Sequence, residues 1–325
     1  MRDKLKSVAL IGNGMAGASC ARELVRHGFS PDVYDKSHGL GGRIASRQID
    51  GSGQFDHGTQ FLTARSLEFK SVIKEFLDQG NLQLWEPILA NSHNRKHQPW
   101  FVGQPKMNAF FRQFLAGAHL RLSEEVNSIR RQEDRWLVTS NMKPKGGLYD
   151  IVVCTVPAPQ ARVILKTERE IVKKISGVKM APCVALLLTF EEKLSLDFDV
   201  WRSEEQDISW VARNNSKPAR GTSHENWVVH GSAFWSEKNL ELSEEEITRV
   251  LIKKLSTIFG IELPGVIYSA VHYWRYSKTV VPLGRAFVVG QNNSIYVGGD
   301  WCLGDRVENA FESGRSIAKH MIDSY

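Results

Sequence analysis

Gly12-Asn13-Gly14-Met15-Ala16-Gly17 is the first stretch of this 325-residue sequence whose residue types and spacing could do chemistry. It follows an apolar run over residues 6–11, read as a buried strand. It precedes a helical segment that runs through Ala21, Leu24 and Val25 to His27 and is closed by Gly28. A second strand over residues 32–35 ends in Asp35, 21 residues after Gly14. Strand, G-x-G-x-x-G turn, helix, strand and terminal acid in that order predict a dinucleotide site. Gly12 permits the tight turn, Gly14 lets the backbone approach a pyrophosphate, and Gly17 lets helix and strand pack closely. The helix N-terminus offers free N–H groups and a partial positive charge to the phosphates, and Asp35 is spaced to hold a ribose.

Two further clusters narrow the ligand. Lys36-Ser37-His38-Gly39-Leu40-Gly41-Gly42-Arg43 follows Asp35 at once, and an arginine after flexible glycines can grip phosphate oxygens bidentately. Near the C-terminus, residues 293–300 read as a short strand ending in Gly298-Gly299-Asp300, followed by a helix over 307–321. An acid at that strand end either hydrogen-bonds polyol hydroxyls, as on a flavin's ribityl chain, or simply caps the next helix.

These segments resemble the FAD-containing amine oxidase superfamily and, within it, the renalase family in its shorter bacterial form. The residues that carry the resemblance are IGNGMAGASCA, YDKSHGLGGR, DHGTQFLTAR (56–65), WFVGQPKMNAF (100–110), WVARNNSKPAR (210–220) and GGDWCLGDRVENAFESG (298–314). The first two motifs are common to all such FAD enzymes, and the later ones are more discriminating. The resemblance implies FAD contacts at Gly12, Gly14, Ala16, Gly17, Asp35, Lys36, Gly42, Arg43, Gly58, Thr59, Val126, Asp300 and Val307. It places Gln60 and Phe61 beside the isoalloxazine, where the family pair is Gln-Tyr, so the phenolic hydroxyl is missing here and ring stacking is kept. It also puts His272 on the substrate face, where a histidine could orient a carboxamide or sit as a structural strand residue. Trp274, Arg213 and Trp301 are the expected substrate contacts. No cysteine lies between Cys183 and Cys302, where monoamine oxidases carry their flavin-linking cysteine, so the FAD is expected to be non-covalent.

The implied activity is oxidation of the 2- and 6-dihydro isomers of NAD(P) to NAD(P)+, with electrons passing to O2 to give H2O2. Amine oxidation shares the fold, and Trp274 and Tyr276 could wall an amine site. Desaturation of a lipid has less support, because no hydrophobic or amphipathic membrane-binding segment stands out. A non-catalytic FAD-binding protein is the remaining class, favoured only by Phe61. A flavin does its own redox chemistry, so no catalytic triad is required. His57 and His272 lie near these motifs without a third ligand at metal spacing, and no metal site is expected.

The elements that must position these residues point to an α/β fold: a glutathione-reductase-type, Rossmann-like FAD-binding domain with an inserted mixed-sheet α+β substrate domain. The expected FAD-binding segments are 1–65, 118–162 and 288–325, and the substrate domain takes 66–117 and 163–287. Helices are predicted over 66–79 and 105–117. A hairpin over 125–141 turns at Glu133-Asp134 and leads to a strand over 149–155. Between 163 and 287, strands over 180–190, 209–214, 227–234 and 266–274 surround one strong helix, opened by a Ser243/Glu246 capping box and ended by Gly260. Seven of nine tryptophans fall in this part or in 80–110 and serve as core and pocket wall. The Trp210–Arg220 stretch carries Arg213, Lys217 and Arg220, either to catch a substrate phosphate or as a solvated loop.

Composition fits this reading. Lys and Arg number 42 against 36 acids, for a net charge of +6, which suits an anionic dinucleotide without proving one. No basic tail or recognisable nucleic-acid motif is present, so nucleic acid is not expected as a partner. No protein partner is evident either. No apolar run approaches a membrane span. The start Arg2-Asp3-Lys4 leads directly into a strand-sized apolar run, so no leader is expected and a cytoplasmic protein is the simplest reading. Four scattered cysteines without a C-x-x-C imply no disulfide.

Overall fold

A computed structural model describes residues 6–90, 98–221 and 224–325. Arg2, Asp3 and Lys4, on which the reading of the N-terminus rests, lie outside the described residues. The chain divides into two compact units: Met1–Arg43 with Phe111–Met180 and Thr279–Tyr325, and Ile44–Phe110 with Ala181–Lys278.

The first unit is built on a six-stranded sheet in the order Phe287–Val289, Ile295–Gly298, Ile151–Cys154, Val8–Ile11, Asp32–Tyr34, His119–Arg121. All neighbours are parallel except the edge strand Phe287–Val289. The strands Val8–Ile11, Ile151–Cys154 and Ile295–Gly298 are buried at every position, which is why they read as unbroken apolar runs rather than alternating ones. Helix Met15–Arg26 and the last helix, Val307–Ser324, pack against each other at backbone range. A Cβ on Gly314 would lie 1.9 Å from the Ala16 carbonyl oxygen, so only glycine allows this crossing. A three-stranded antiparallel meander, Val126–Gln132, Arg135–Ser140 and Gly147–Tyr149, completes the unit. Its third strand is too short to show in the sequence.

The second unit carries a five-stranded sheet in the order Val200–Arg202, Ile208–Arg213, Glu225–Gly231, Lys179–Phe190, Val266–Val281. Helix Glu244–Phe259 lays Ile247, Leu251 and Leu255, spaced four apart on one face, into the core with Val184, Leu186, Leu188 and Val229. Its capping box is formed as the sequence indicates, and Gly260 ends it in the left-handed region at φ 67°. Helix Leu67–Asp78 likewise begins at Ser66, whose Oγ accepts the Phe69 N–H.

Two expectations are revised. The predicted 105–117 helix is reduced to Phe111–Phe114: residues 104–110 run through bends and turns, and Gly117 adopts φ 87°. The unit boundaries also differ from the expected segment ends. Residues 44–65 fall in the second unit because Phe55 packs with Leu187 and Val228 there. Helices Ala158–Ile164 and Arg169–Lys174 fall in the first, through Ala161, Leu165, Ile171 and Ile175.

Candidate functional site

The first unit builds a phosphate cradle. Gly12 turns the chain at φ 103°, and its N–H donates to the Tyr34 carbonyl at 2.8 Å. A Cβ on Gly17 would lie 1.9 Å from the Gly12 carbonyl oxygen, so the turn and the helix meet as backbone on backbone. Gly14 is the N-cap of the first helix in extended conformation, without a side-chain cap and with no acid in the first turn. Nothing lies within 4 Å of where its Cβ would be. Open space over Gly14 and an uncapped helix N-terminus fit a pyrophosphate.

Asn13, which sequence reasoning passed over, organises this cradle. It is wholly buried; its Nδ2 donates to the Gly39 carbonyl at 3.0 Å and its Oδ1 accepts the Gly41 N–H at 3.2 Å. Its backbone N–H donates to Asp35 Oδ2 at 2.9 Å, while Ser37 N–H donates to Oδ1 at 2.8 Å. Each carboxylate oxygen keeps a lone pair for a ribose hydroxyl. Gly42 sits at φ 54° with its Cβ position 3.3 Å from Gly14 Cα, so the two glycine clusters form one surface. Lys36 is exposed beside them.

Arg43 and Asp300, read separately from the sequence, are brought together. The guanidinium donates through two nitrogens to the two carboxylate oxygens at 2.9 and 2.5 Å, with Asp300 nearly buried. Val307 opens the last helix after Arg306, whose side chain makes no cap there. Val126 is buried at the start of its strand, opposite Ser140. Trp301 is corrected: its ring is wholly buried in the first unit's core, with Nε1 donating to the Val156 carbonyl at 3.0 Å, and presents no surface to a substrate.

In the second unit the loop Asp56–Phe61 is held by a buried ion cluster. Asp56 Oδ2 accepts from Arg220 Nη2 at 2.7 Å, from Arg220 Nε at 3.1 Å and from Lys217 Nζ at 3.3 Å; Oδ1 accepts from Ser46 Oγ at 2.6 Å. Burial would raise the Asp56 carboxyl, but the charges of Lys217 and Arg220 outweigh it and hold the group well below the usual carboxylate range. Burial lowers the Lys217 ammonium to about 8, with Asp56 opposing and Arg220 adding to the fall. The surplus positive charge is met by oxygens: Arg220 Nη1 donates to the carbonyls of Gly103, Pro105 and Pro218, and Lys217 donates to Gln60 Oε1 at 3.1 Å.

This overturns both expectations for the Trp210–Arg220 stretch. Lys217 and Arg220 are neither solvated nor free to take a phosphate. Arg213 is engaged as well, donating to the Leu196 carbonyl and lying over the Trp227 ring. Gln60 lies in the same cluster: it is buried, its amide donates to the Asp56 and Gly58 carbonyls, and its oxygen accepts from Lys217. It ties the loop to the ion cluster. Gly58 and Thr59 are half-buried in the same loop.

Beside this loop lies an imidazole–indole cluster. The His57 carbonyl accepts from His230 Nε2 and from Trp274 Nε1, both at 3.1 Å. The His57 ring stacks on Trp274 at 5.2 Å and meets the His272 edge at 4.8 Å, while His272 and Trp274 are 4.2 Å apart. His272 and Trp274, both expected at the site, are thus joined by His57 and His230, which the sequence did not single out for this. Burial is the main cause that lowers all three histidines, His57 and His230 to about 4. His57 and His230 are thereby neutral at pH 7, and burial shifts His272 in the same direction. Phe61 stacks on Trp100 with centroids 3.9 Å apart and planes 9° from parallel, and Trp210 packs against both. The cluster offers planar apolar surface and uncharged hydrogen-bonding groups together.

The model of the flavin containing amine oxidoreductase family matches residues 91–322, and that of an NAD(P)-binding Rossmann-like domain matches residues 10–79. A 4,4'-diaponeurosporene oxygenase of Staphylococcus haemolyticus (strain JCSC1435) is 38% identical over 58 residues, covering 18% of this chain and only 11% of that protein. The crystal structure of a protein of Exiguobacterium sp. 255-15, provisionally designated a protoporphyrinogen oxidase, superposes with a TM-score of 0.81 over 99% of this chain and 100% of that one. At 11% identity that likeness speaks to the fold.

Proposed function

The chain belongs to the flavin-containing amine oxidoreductase family with FAD as its cofactor, and we propose that it oxidises the 2- and 6-dihydro isomers of NAD(P) to NAD(P)+. The dihydronicotinamide gives up a hydride, and hydride and one proton leave as H2O2 when O2 takes the two electrons. Bound FAD supplies the two-electron acceptor that no side chain provides. The first turn of helix Met15–Arg26 and Gly12, Gly14 and Gly17 would hold its pyrophosphate, and Asp35 its ribose. In this reading the attachment is non-covalent.

One observation carries the substrate reading. His57, His230, His272 and Trp274 form a face that is aromatic, hydrogen-bonding and uncharged at neutral pH. Such a face suits a flat ring bearing a carboxamide. The carboxylate of Asp56, which could pair with a protonated amine, is already consumed by Lys217 and Arg220. In this reading Trp274 and Phe61 stack the ring, and His272 orients the amide.

Anaerobic mixing of the holoprotein with isomeric dihydro-NAD(P), ordinary NADH and simple amines tests it through the visible flavin absorbance. Bleaching by the isomers, with release of β-NAD(P)+, is the expected result. Bleaching by amines alone would move the activity to amine oxidation, and no bleaching by any donor would leave a binding protein.

A further inference from the structure

Lys217 and Arg220 are consumed by Asp56, but a cation remains beside the imidazole–indole face. Arg47 opens the hairpin strand Arg47–Ile49 and is exposed, and among the described residues no carboxylate pairs with its guanidinium. Its backbone is held from both sides. Arg47 lies directly opposite Phe55 in the antiparallel register. The preceding residue, Ser46, donates its hydroxyl to Asp56 Oδ1 at 2.6 Å and accepts the Met107 N–H at 2.9 Å. Residues opposite each other in such a pair project to the same side. Phe55 uses that side to pack on Tyr268, with ring centroids 5.9 Å apart. Tyr268, Ala270, His272 and Trp274 alternate along one face of strand Val266–Val281. His57, two residues beyond Phe55, meets His272 and Trp274 there. Arg47 therefore emerges at the rim of that face, and its charge is felt on it, helping to lower both His57 and His272.

We propose that Arg47 binds the diphosphate of a dinucleotide substrate whose nicotinamide ring lies on the His272–Trp274 face. This rests on the dihydronicotinamide reading above. His272 and Trp274 are half-buried and so keep surface for a ring, while the exposed guanidinium beside them can close on two phosphate oxygens at once. The diphosphate is joined to the nicotinamide through a single ribose. The extra phosphate of an NADP-type substrate sits on the far ribose, so Arg47 serves both forms alike. Unlike Lys217 and Arg220, Arg47 gives up no internal ion pair to take an anion.

The test is calorimetric titration of the holoprotein with nicotinamide mononucleotide, with nicotinamide riboside, which lacks the phosphate, and with ribose 5-phosphate, which lacks the ring. The wild type is expected to bind the mononucleotide about tenfold more tightly than the riboside, and that preference is expected to shrink as salt is raised. Arg47→Gln is expected to bind the two equally with its affinity for the riboside unchanged, and Arg47→Glu to prefer the riboside. Both variants alter an exposed side chain and are expected to melt with the wild type; if one fails to fold, the other decides. An Arg47→Gln protein that retains the tenfold preference overturns the role of Arg47 while the substrate reading stands. A wild type that binds mononucleotide and riboside alike, both better than ribose 5-phosphate, overturns the phosphate site alone. A wild type that binds ribose 5-phosphate as tightly as the mononucleotide recognises no ring, and overturns the substrate reading and this inference with it.

Discussion

Lys217 and Asp56 stand 161 positions apart and meet as an ion pair whose two side chains are wholly buried, Nζ to Oδ2 at 3.3 Å. With Arg220 at 2.7 Å from the same oxygen, one carboxylate anchors two cations. The three charges cannot be removed at equal cost. Breaking a buried pair is expensive chiefly through the charge left behind.

Asp56→Ala therefore strands two buried cations and is expected to destabilise the protein by about 3–5 kcal/mol. Lys217→Met leaves Asp56 and Arg220 as a neutral pair and is expected to cost clearly less. Urea unfolding midpoints of the two variants decide the matter, and equal losses would contradict the asymmetric cluster.

The glycines of the cradle separate folding from cofactor binding. Gly17→Ala places a methyl 1.9 Å from a backbone oxygen and is expected to lose about 3 kcal/mol or more. Gly14→Ala meets nothing within 4 Å, at a backbone conformation any residue adopts. Its apoprotein should melt close to wild type while FAD affinity falls, because the methyl occupies the space a pyrophosphate needs. Thermal unfolding of the apoproteins and FAD titration measure the two effects separately.

The histidine cluster gives stability a defined pH dependence. Burial lowers His57 and His230 from 6.5 to about 4. Between those values the unfolded chain binds protons that the folded chain refuses, so stability rises with pH across that window. It is complete above about pH 6.5 and is lost as pH falls toward 4, by on the order of 3 kcal/mol for each ring. Unfolding free energy measured from pH 7 to pH 4 should drop along this course, and less steeply in the His57→Gln, His230→Gln double variant.

The cradle was legible because its signals are local. The turn, the helix and the acid at Asp35 lie within 24 residues, from Gly12 to Asp35, and each glycine answers a backbone demand. The Ser243/Glu246 box and the Ser66 cap were legible for the same reason. The ion cluster was not, because nothing in the sequence around Lys217 tells that its partner is Asp56, and a basic loop reads as solvated until its burial is known. His57 and His230 join His272 only because a loop and two non-adjacent strands from distant segments meet. Pro105 misled in the other direction: proline suits a first helical turn, yet here it lies in a bend and the helix begins only at Phe111.

Asn13 binds the Gly39 carbonyl, the Gly41 N–H and, through its backbone, the Asp35 carboxylate. The two glycine-rich loops, the most mobile kind of backbone, are thereby fastened to each other by the protein's own hydrogen bonds. The entropy of ordering them is spent during folding rather than at the moment of capture. A nucleotide meets a finished mould, and its binding energy is not diminished by having to shape one.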